Sequence, residues 1–389
     1  MEQKKYKIIY FIECLSKKGG TEKVLATKAS YFADVLGYEI HIILFQSKDK
    51  GLAYEYSPKI KIHYLEDFFT EGIIIPGFSQ MIAIRRAKKY YSKLIEIIKP
   101  DIMIGLGLGL GDFIFPSIAR GLKIPIIREF HYSTIATKKT IELCSSFWGR
   151  FKQHVIFKRM FKSFQNYDHL VLLTQQDLQE GNYKDNCTII PNVLNSSESI
   201  HVSTCEQKRV ISVGSLRNPI KRFDKQIRLW KEINTHFPEW KLDIYGDGPE
   251  RSNLQALINK LDLSCSITLH GNVDNIGDKY LNSSIFIFTS DGEGLPMVIL
   301  EAMSYGLPIV SYACSCGPKD AIRHGLDGYV INMDDEEGFI KNLLELMKNQ
   351  ELRDRMGKSA KNRSGFYSAE NIYPQWCSFF DKVVNSYHK

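Results

Sequence analysis

Apolar runs of roughly four to eight residues recur along this chain, each closing on a glycine or polar turn and followed by a helical pattern. Lys7–Cys14 reads as such a strand, Ser16-Lys17-Lys18-Gly19-Gly20 as the turn, Thr21–Leu36 as the helix and Tyr38–Gln46 as the next strand. Strand, glycine turn, helix, strand opens a parallel α/β sheet, because a parallel neighbour is reached only through a crossover long enough to hold a helix. The alternation continues through a helix near 79–98 and strands at Ile102–Gly105, Ile124–Arg128, His169–Leu173 and Cys187–Ile190. A polar stretch, Asn195–Lys208, interrupts it, and the pattern then restarts. Strands at Arg209–Val213, Lys241–Tyr245, Ile267–His270, Ile285–Thr289 and Pro308–Tyr312 alternate with helices around 222–237, 250–261, 274–281 and 296–305. The expected architecture is two doubly wound, Rossmann-like α/β domains facing across a cleft, residues 1–195 and 196–370. An aromatic helical segment, 371–389, is expected to return to the first. In such sheets ligands collect beyond the carboxyl ends of the strands, so function is sought in the loops there.

A length of 389 residues fits two cores better than one. The apolar run Ile8–Ile12 is interrupted by Glu13 and is too short for a secretory leader, and Ile102–Ile127 is broken by Asp112, Arg120 and Lys123. The expected location is therefore cytoplasmic. Cysteines at 14, 144, 187, 205, 265, 314, 316 and 377 show no paired metal-ligand spacing and are read as packing residues. Charge is uneven: residues 1–195 hold 28 Lys/Arg against 19 Asp/Glu, a balance of +9, and 196–389 hold 23 against 25, a balance of −2. No recognition motif for nucleic acid accompanies this asymmetry, so no nucleic-acid partner is expected.

The stretch Thr289-Ser290-Asp291-Gly292-Glu293-Gly294-Leu295-Pro296-Met297-Val298-Ile299-Leu300-Glu301 is the most informative. A strand ends, glycines turn the chain, and Pro296 stands where a helix begins, which suits its fixed φ. Free amides at the start of that helix make an anion site. Glu293 stands beside it and Glu301 about a turn and a half inside the helix.

This segment resembles the paired-glutamate motif of the retaining family-4 glycosyltransferases with the GT-B fold, of the kind that assembles bacterial surface polysaccharide. Gly19-Gly20-Thr21-Glu22, Val213-Gly214-Ser215-Leu216 through Lys221, Ile244-Tyr245-Gly246-Asp247-Gly248-Pro249, His270-Gly271-Asn272-Val273 and His324-Gly325-Leu326-Asp327-Gly328-Tyr329 match further turns of the family in order. The resemblance implies a nucleotide-sugar donor, a UDP-sugar by preference, and a saccharide or lipid-linked saccharide acceptor. It implies that Glu301 accepts hydrogen bonds from the ribose and that Glu293 meets the donor sugar near the reacting carbon. The backbone of Gly294, Leu295 and Pro296 holds sugar and phosphate oxygens, and Lys221 neutralises the diphosphate. Gly19, Gly20, Gly214, Gly246, Gly271 and Val273 border the donor, His270 offers backbone to the base, and His131 reaches the transferring sugar or the acceptor. No Asp-x-Asp pair occurs, so transfer without a metal or other cofactor is expected. Ser215 stands where the family often has Arg, and Arg217 is the nearest replacement.

Two other readings keep the same fold: a nucleotide-sugar epimerase, and a non-catalytic nucleotide-sugar-binding scaffold. Residues 137–163 carry seven Lys/Arg against one acid, interleaved with Phe147, Trp148, Phe151, Phe157 and Phe161, and Arg85-Arg86-Ala87-Lys88-Lys89 adds to the charge. Such a surface suits peripheral contact with an anionic membrane, at the inner face of the cell membrane. The other reading is a helix that packs its aromatics internally and leaves its lysines in water.

Overall fold

The computed structural model describes the chain except residues 1–3, 17–18, 46–47, 65–77, 107–110, 134–136, 138–146, 182, 184–185, 195–200, 217–218 and 388–389. Arg217 and most of 137–146 therefore lie outside the described residues.

Strands β1 (Lys7–Ile12), β2 (Glu39–Leu44), β3 (Lys61–His63), β4 (Ile102–Gly105), β5 (Ile126–Glu129), β6 (His169–Leu172) and β7 (Cys187–Ile189) form one sheet in the order β3-β2-β1-β4-β5-β6-β7. A second sheet holds β8 (Arg209–Val213), β9 (Lys241–Tyr245), β10 (Ile267–Gly271), β11 (Ile285–Phe288), β12 (Ile309–Tyr312) and β13 (Gly328–Ile331) in the order β10-β9-β8-β11-β12-β13. The pairings are parallel: Ile8 lies opposite Ile40 on one side and Ile102 on the other, and Ile211 opposite Asp243. Parallel strands covered by helices on both faces need continuous apolar runs, and β4, β5, β11 and β12 are buried along their whole length. Strand order reverses between β1 and β4 and again between β8 and β11. Those are the two places where crossovers diverge to opposite faces and open a crevice at the carboxyl ends.

Two expectations shift. Gly328-Tyr329, read as a turn, begins the edge strand β13, and β3, only three residues long, carries too short a pattern to be read. The helix after β8 starts at Phe223, because Arg222 sits at φ 53° in the left-handed region, where a helix cannot run through it.

The helix Ala369–Tyr387 lays Ile372, Tyr373, Trp376, Phe379, Phe380, Val383 and Val384 into the core built on β1 and β2. Their three- and four-residue spacing gives one apolar stripe. Tyr373 stacks on Tyr31 at 3.7 Å between ring centres, and Trp376 meets Phe32 edge-on. Each fully buried large side chain of this kind contributes about 1.5–3 kcal/mol.

Candidate active site

The loops after β8, β9 and β10 are stitched through their backbones. Gly214 N–H donates to Tyr245 O at 3.0 Å, Gly246 N–H to Gly271 O at 2.8 Å, and Leu216 N–H to Asp247 O at 3.0 Å. Gly246 has φ 131° and a Cβ on it would overlap the Gly214 carbonyl oxygen, so no other residue fits this crossing. The result is a wall in which these loops are held together through their backbones. Facing it across a cleft of about 790 Å³ are Gly19, Gly20, Lys23 and Thr27 at the start of the helix Gly20–Asp34.

Glu301 lies in this cleft, on the helix Met297–Ser304, with Met297 and Val298 beside it. Pro296 caps that helix from an extended conformation, leaving the first amides without intrahelical acceptors. Lys23 Nζ reaches across from the opposite wall to Glu301 Oε1 at 3.2 Å, and Tyr280 Oη donates to Oε2 at 3.4 Å. Sequence reasoning passed over Lys23, whose role depends on a partner 278 residues away.

The loop carrying Glu293 is held by the turn that carries Lys221. Asp291 N–H donates to Ile220 O at 2.8 Å, Thr289 Oγ1 to Arg222 O at 3.0 Å, and Arg222 pairs with Asp291 at 3.1 Å. These ties bring Lys221 Nζ to Glu293 Oε1 at 2.7 Å, with Lys221 Nζ 5.6 Å from the Phe288 ring. Gly294 then packs backbone to backbone on the other half of the molecule: a Cβ on it would stand 2.5 Å from the His131 carbonyl oxygen. Gly317, at φ 97°, lies close by: a Cβ on it would overlap the Pro296 ring and crowd the Gly294 carbonyl. Leu295 is buried beneath.

His131 follows β5 and is buried, its Nε2 3.1 Å from Glu129 Oε1. Glu129 is also bonded to the buried Lys28. Burial pushes the Glu129 carboxyl up, but Lys28 and His131 outweigh it and hold the group down at about 2. Burial lowers Lys28 below the ordinary lysine range against the pull of Glu129. A signal for Lys28 was present: on the helix Gly20–Asp34 it shares the buried stripe of Leu25, Ala29 and Phe32, where a lysine is out of place.

Of the residues singled out in the sequence, Gly19, Gly20, Gly214, Gly246, Val273 and Glu301 line the cleft. Lys221 with Glu293, and His131 with Gly294, form two contacts apart from that lining. The His270 imidazole is turned to Asp243, with Nε2 2.7 Å from Oδ1, and stacks on Tyr245 at 4.4 Å; Gly271, at φ 79°, sits against Arg251.

Residues 197–363 match the family model of glycosyl transferases group 1. Over 382 residues the chain is 28% identical to a glycosyltransferase of Haemophilus influenzae, covering 95% of this chain and 98% of that one. The chain is a GT-B glycosyltransferase. It is also 24% identical over 387 residues, 97% of this chain and 99% of the relative, to the Campylobacter jejuni α-1,4-N-acetyl-D-galactosaminyltransferase named for a GalNAc-containing saccharide on PP-undecaprenol. Its fold matches S. aureus TarM, solved with UDP and α-GlcNAc-glycerol, at a TM-score of 0.75 and 16% identity, over 96% of this chain and 99% of TarM. In this glycosyltransferase the matched segment contains the backbone wall, Lys221, Glu293 and Glu301, whereas Lys23, Lys28, Glu129 and His131 come from the other sheet.

Proposed function

We propose that this glycosyltransferase moves a hexosyl group from a UDP-sugar to a saccharide or lipid-linked saccharide, with retention of configuration and without a metal ion. The observation that carries the reading is the placement of Glu301 and the Met297–Ser304 helix start in one cleft with the glycine loops after β8 and β9. A carboxylate accepts both hydroxyls of a ribose, and the free amides of the helix start take phosphate oxygens. Gly214 and Gly246 border the same cleft, where the nucleotide would lie.

Breaking the glycosyl–phosphate bond gathers negative charge on the diphosphate, and fixed cations and oriented amides stabilise it without reorganising. Lys221 is the cation for that role, held in place by Glu293. Because Glu293 is committed to Lys221, it serves as a local counter-charge near the reacting carbon rather than as an attacking nucleophile. Retention then follows from front-face attack, with the acceptor proton passing to the leaving phosphate. UDP in the TarM complex and the PP-undecaprenol saccharide in the name of the Campylobacter jejuni relative favour this donor and acceptor class.

A lipid-linked acceptor brings the enzyme to a membrane. Among the described residues no helix is long and apolar enough to cross one. On the helix Phe78–Ile98, Arg85, Arg86, Lys88 and Lys89 are exposed while Ala87 and Tyr91 are buried. On the helix Phe147–Ser163, Phe157 and Phe161 stack inward at 6.0 Å, whereas Phe151 is 59% exposed. That outward basic and aromatic surface is the membrane-facing side. Release of UDP from a panel of UDP-sugars in EDTA, with and without lipid-linked saccharides, tests the reaction. Release that is acceptor-dependent supports it; an absolute need for added Mn²⁺ sinks the metal-free part. Proton NMR of the product's anomeric centre decides retention.

A further inference from the structure

The turn after β12 touches both halves of the molecule. Ser315 faces the Glu293 loop: its carbonyl oxygen accepts from Glu293 N–H at 3.2 Å, and its Oγ donates to Asp291 O at 3.4 Å. One residue on, Cys316 faces the other way. Its N–H donates to Gln176 Oε1 at 3.2 Å, and its Sγ lies 3.0 Å from Ser133 Oγ and 3.7 Å from Asp177 Oδ1. Those three partners follow β5 and β6 of the first sheet. Just past the turn, Asp320 Oδ1 accepts from Gln175 N–H at 2.7 Å. The receiving surface is itself fixed, because Asp177 N–H donates to Thr174 Oγ1 at 3.2 Å and Tyr183 Oη to Asp177 Oδ2 at 3.0 Å.

The turn is held in a conformation it would not choose alone. Cys316 has φ 69° and Gly317 φ 97°. Glycine tolerates that region, but a residue with a side chain persists there only where its surroundings over-determine it. Here the surroundings are residues of the other half, and Cys316 and Ser133 are both buried. The base of the Glu293 loop is tied to the Lys221 turn through Thr289 and Asp291, whereas its tip is tied to Ser315 through Gly292 and Glu293. The seating of one half on the other therefore enters the geometry of that tip.

We propose that Gln176 and Asp320 are positioning residues and that the turn 315–317 is a coupling element. Docking of this turn on the helix Gln175–Glu180 sets the tip of the Glu293 loop, so Glu293 is held on Lys221 only while the two halves are seated on one another. The consequence for turnover rests on the proposed transfer reaction; the coupling rests on geometry alone.

The test begins with Gln176→Met in the full chain, which removes the acceptor of Cys316 N–H from the far half. Gln176 is half-buried and is not among the residues lining the cleft, so the fold and the nucleotide site stay intact. Hydrogen exchange, read by mass spectrometry on a peptide covering 289–296, quickens about 10-fold. Turnover falls about 10-fold while UDP affinity by calorimetry stays within about twofold. Asp320→Ala shows the same changes, and Asp320→Asn, which keeps the Oδ1 acceptor, restores both toward wild type. Unchanged exchange over 289–296 in Gln176→Met and Asp320→Ala overturns the coupling. Quickened exchange with wild-type kcat, or a loss of UDP affinity in step with kcat, overturns its part in transfer. If wild type transfers no sugar while the exchange still quickens, the proposed reaction fails and the coupling stands.

Discussion

Lys221 and Glu293 meet at 2.7 Å although they lie 72 positions apart in sequence, and both side chains are only partly exposed. Neither the turn nor the loop alone fixes this distance; it comes from Ile220, Arg222, Thr289 and Asp291 tying the two together. The ammonium is therefore already placed when substrate arrives.

Lys221→Ala removes that ammonium at little cost to folding, since the pair keeps partial access to solvent. Turnover is expected to fall about 100- to 1000-fold, the loss typical for one fixed donor on a developing anion. Thermal midpoints should stay within a few degrees of wild type. Steady-state UDP release and a melting curve on one preparation check both; wild-type turnover in the variant removes Lys221 from the reaction.

Glu301→Ala has two expected effects. It removes the partner of Lys23 across the cleft and the proposed acceptor for the ribose, a hydrogen bond to a charged group worth about 1.5–3 kcal/mol. UDP affinity should drop about 10- to 100-fold by calorimetry. Lys23→Ala should leave UDP binding equal or tighter, because Glu301 then no longer has to exchange one partner for another. Equal loss in both variants refutes this.

The glycines divide by geometry. Gly246→Ala faces a positive φ and an overlap with the Gly214 carbonyl, so it should lower stability by more than about 1 kcal/mol and abolish UDP binding. Gly20→Ala meets nothing within 4 Å and begins a helix, so its melting temperature should hold or rise. Differential scanning calorimetry of the two variants side by side decides.

His41 and His63 lie ring to ring, Nδ1 to Nε2 at 2.9 Å, where β2 meets the edge strand β3. Burial lowers both below the ordinary histidine range. A lowered value means that the unfolded chain takes up the proton first, so stability is whole above about pH 6.5 and declines as pH falls through the folded values. The neighbouring Glu39 stays charged throughout that window, because Lys61 and His41 hold it down at about 2. Denaturant midpoints between pH 7.5 and 5.5 should fall less in His63→Gln than in wild type.

Most strands were legible because each is a local event, an apolar run closed by a glycine or polar turn, whereas their order in the sheet was not. The Glu293–Glu301 segment was legible for the same reason: glycines and Pro296 within one stretch define a turn and a helix start without help from elsewhere. Lys23 and Glu129 were not legible. Each takes its meaning from a residue across the molecule, 278 positions on for Lys23 and 101 back for Glu129, and no periodicity encodes such a pairing. Cys316 is similar: its Sγ sits 3.0 Å from Ser133 Oγ, at another contact between the halves, and nothing around it in sequence marks it.

The return of the last helix sets an order of events at the ribosome. The Gly20–Asp34 helix and β1 are made more than 300 residues before Trp376, Phe379 and Phe380, which close their core. The second sheet, complete at Ile331, is synthesised whole while the first half still waits with Tyr31 and Phe32 uncovered. The second half is thus a cassette set between two stretches of the host that pack on one another. A nascent chain arrested before Ser368 should present a finished cassette beside a sticky, unfinished host, the state most in need of a chaperone.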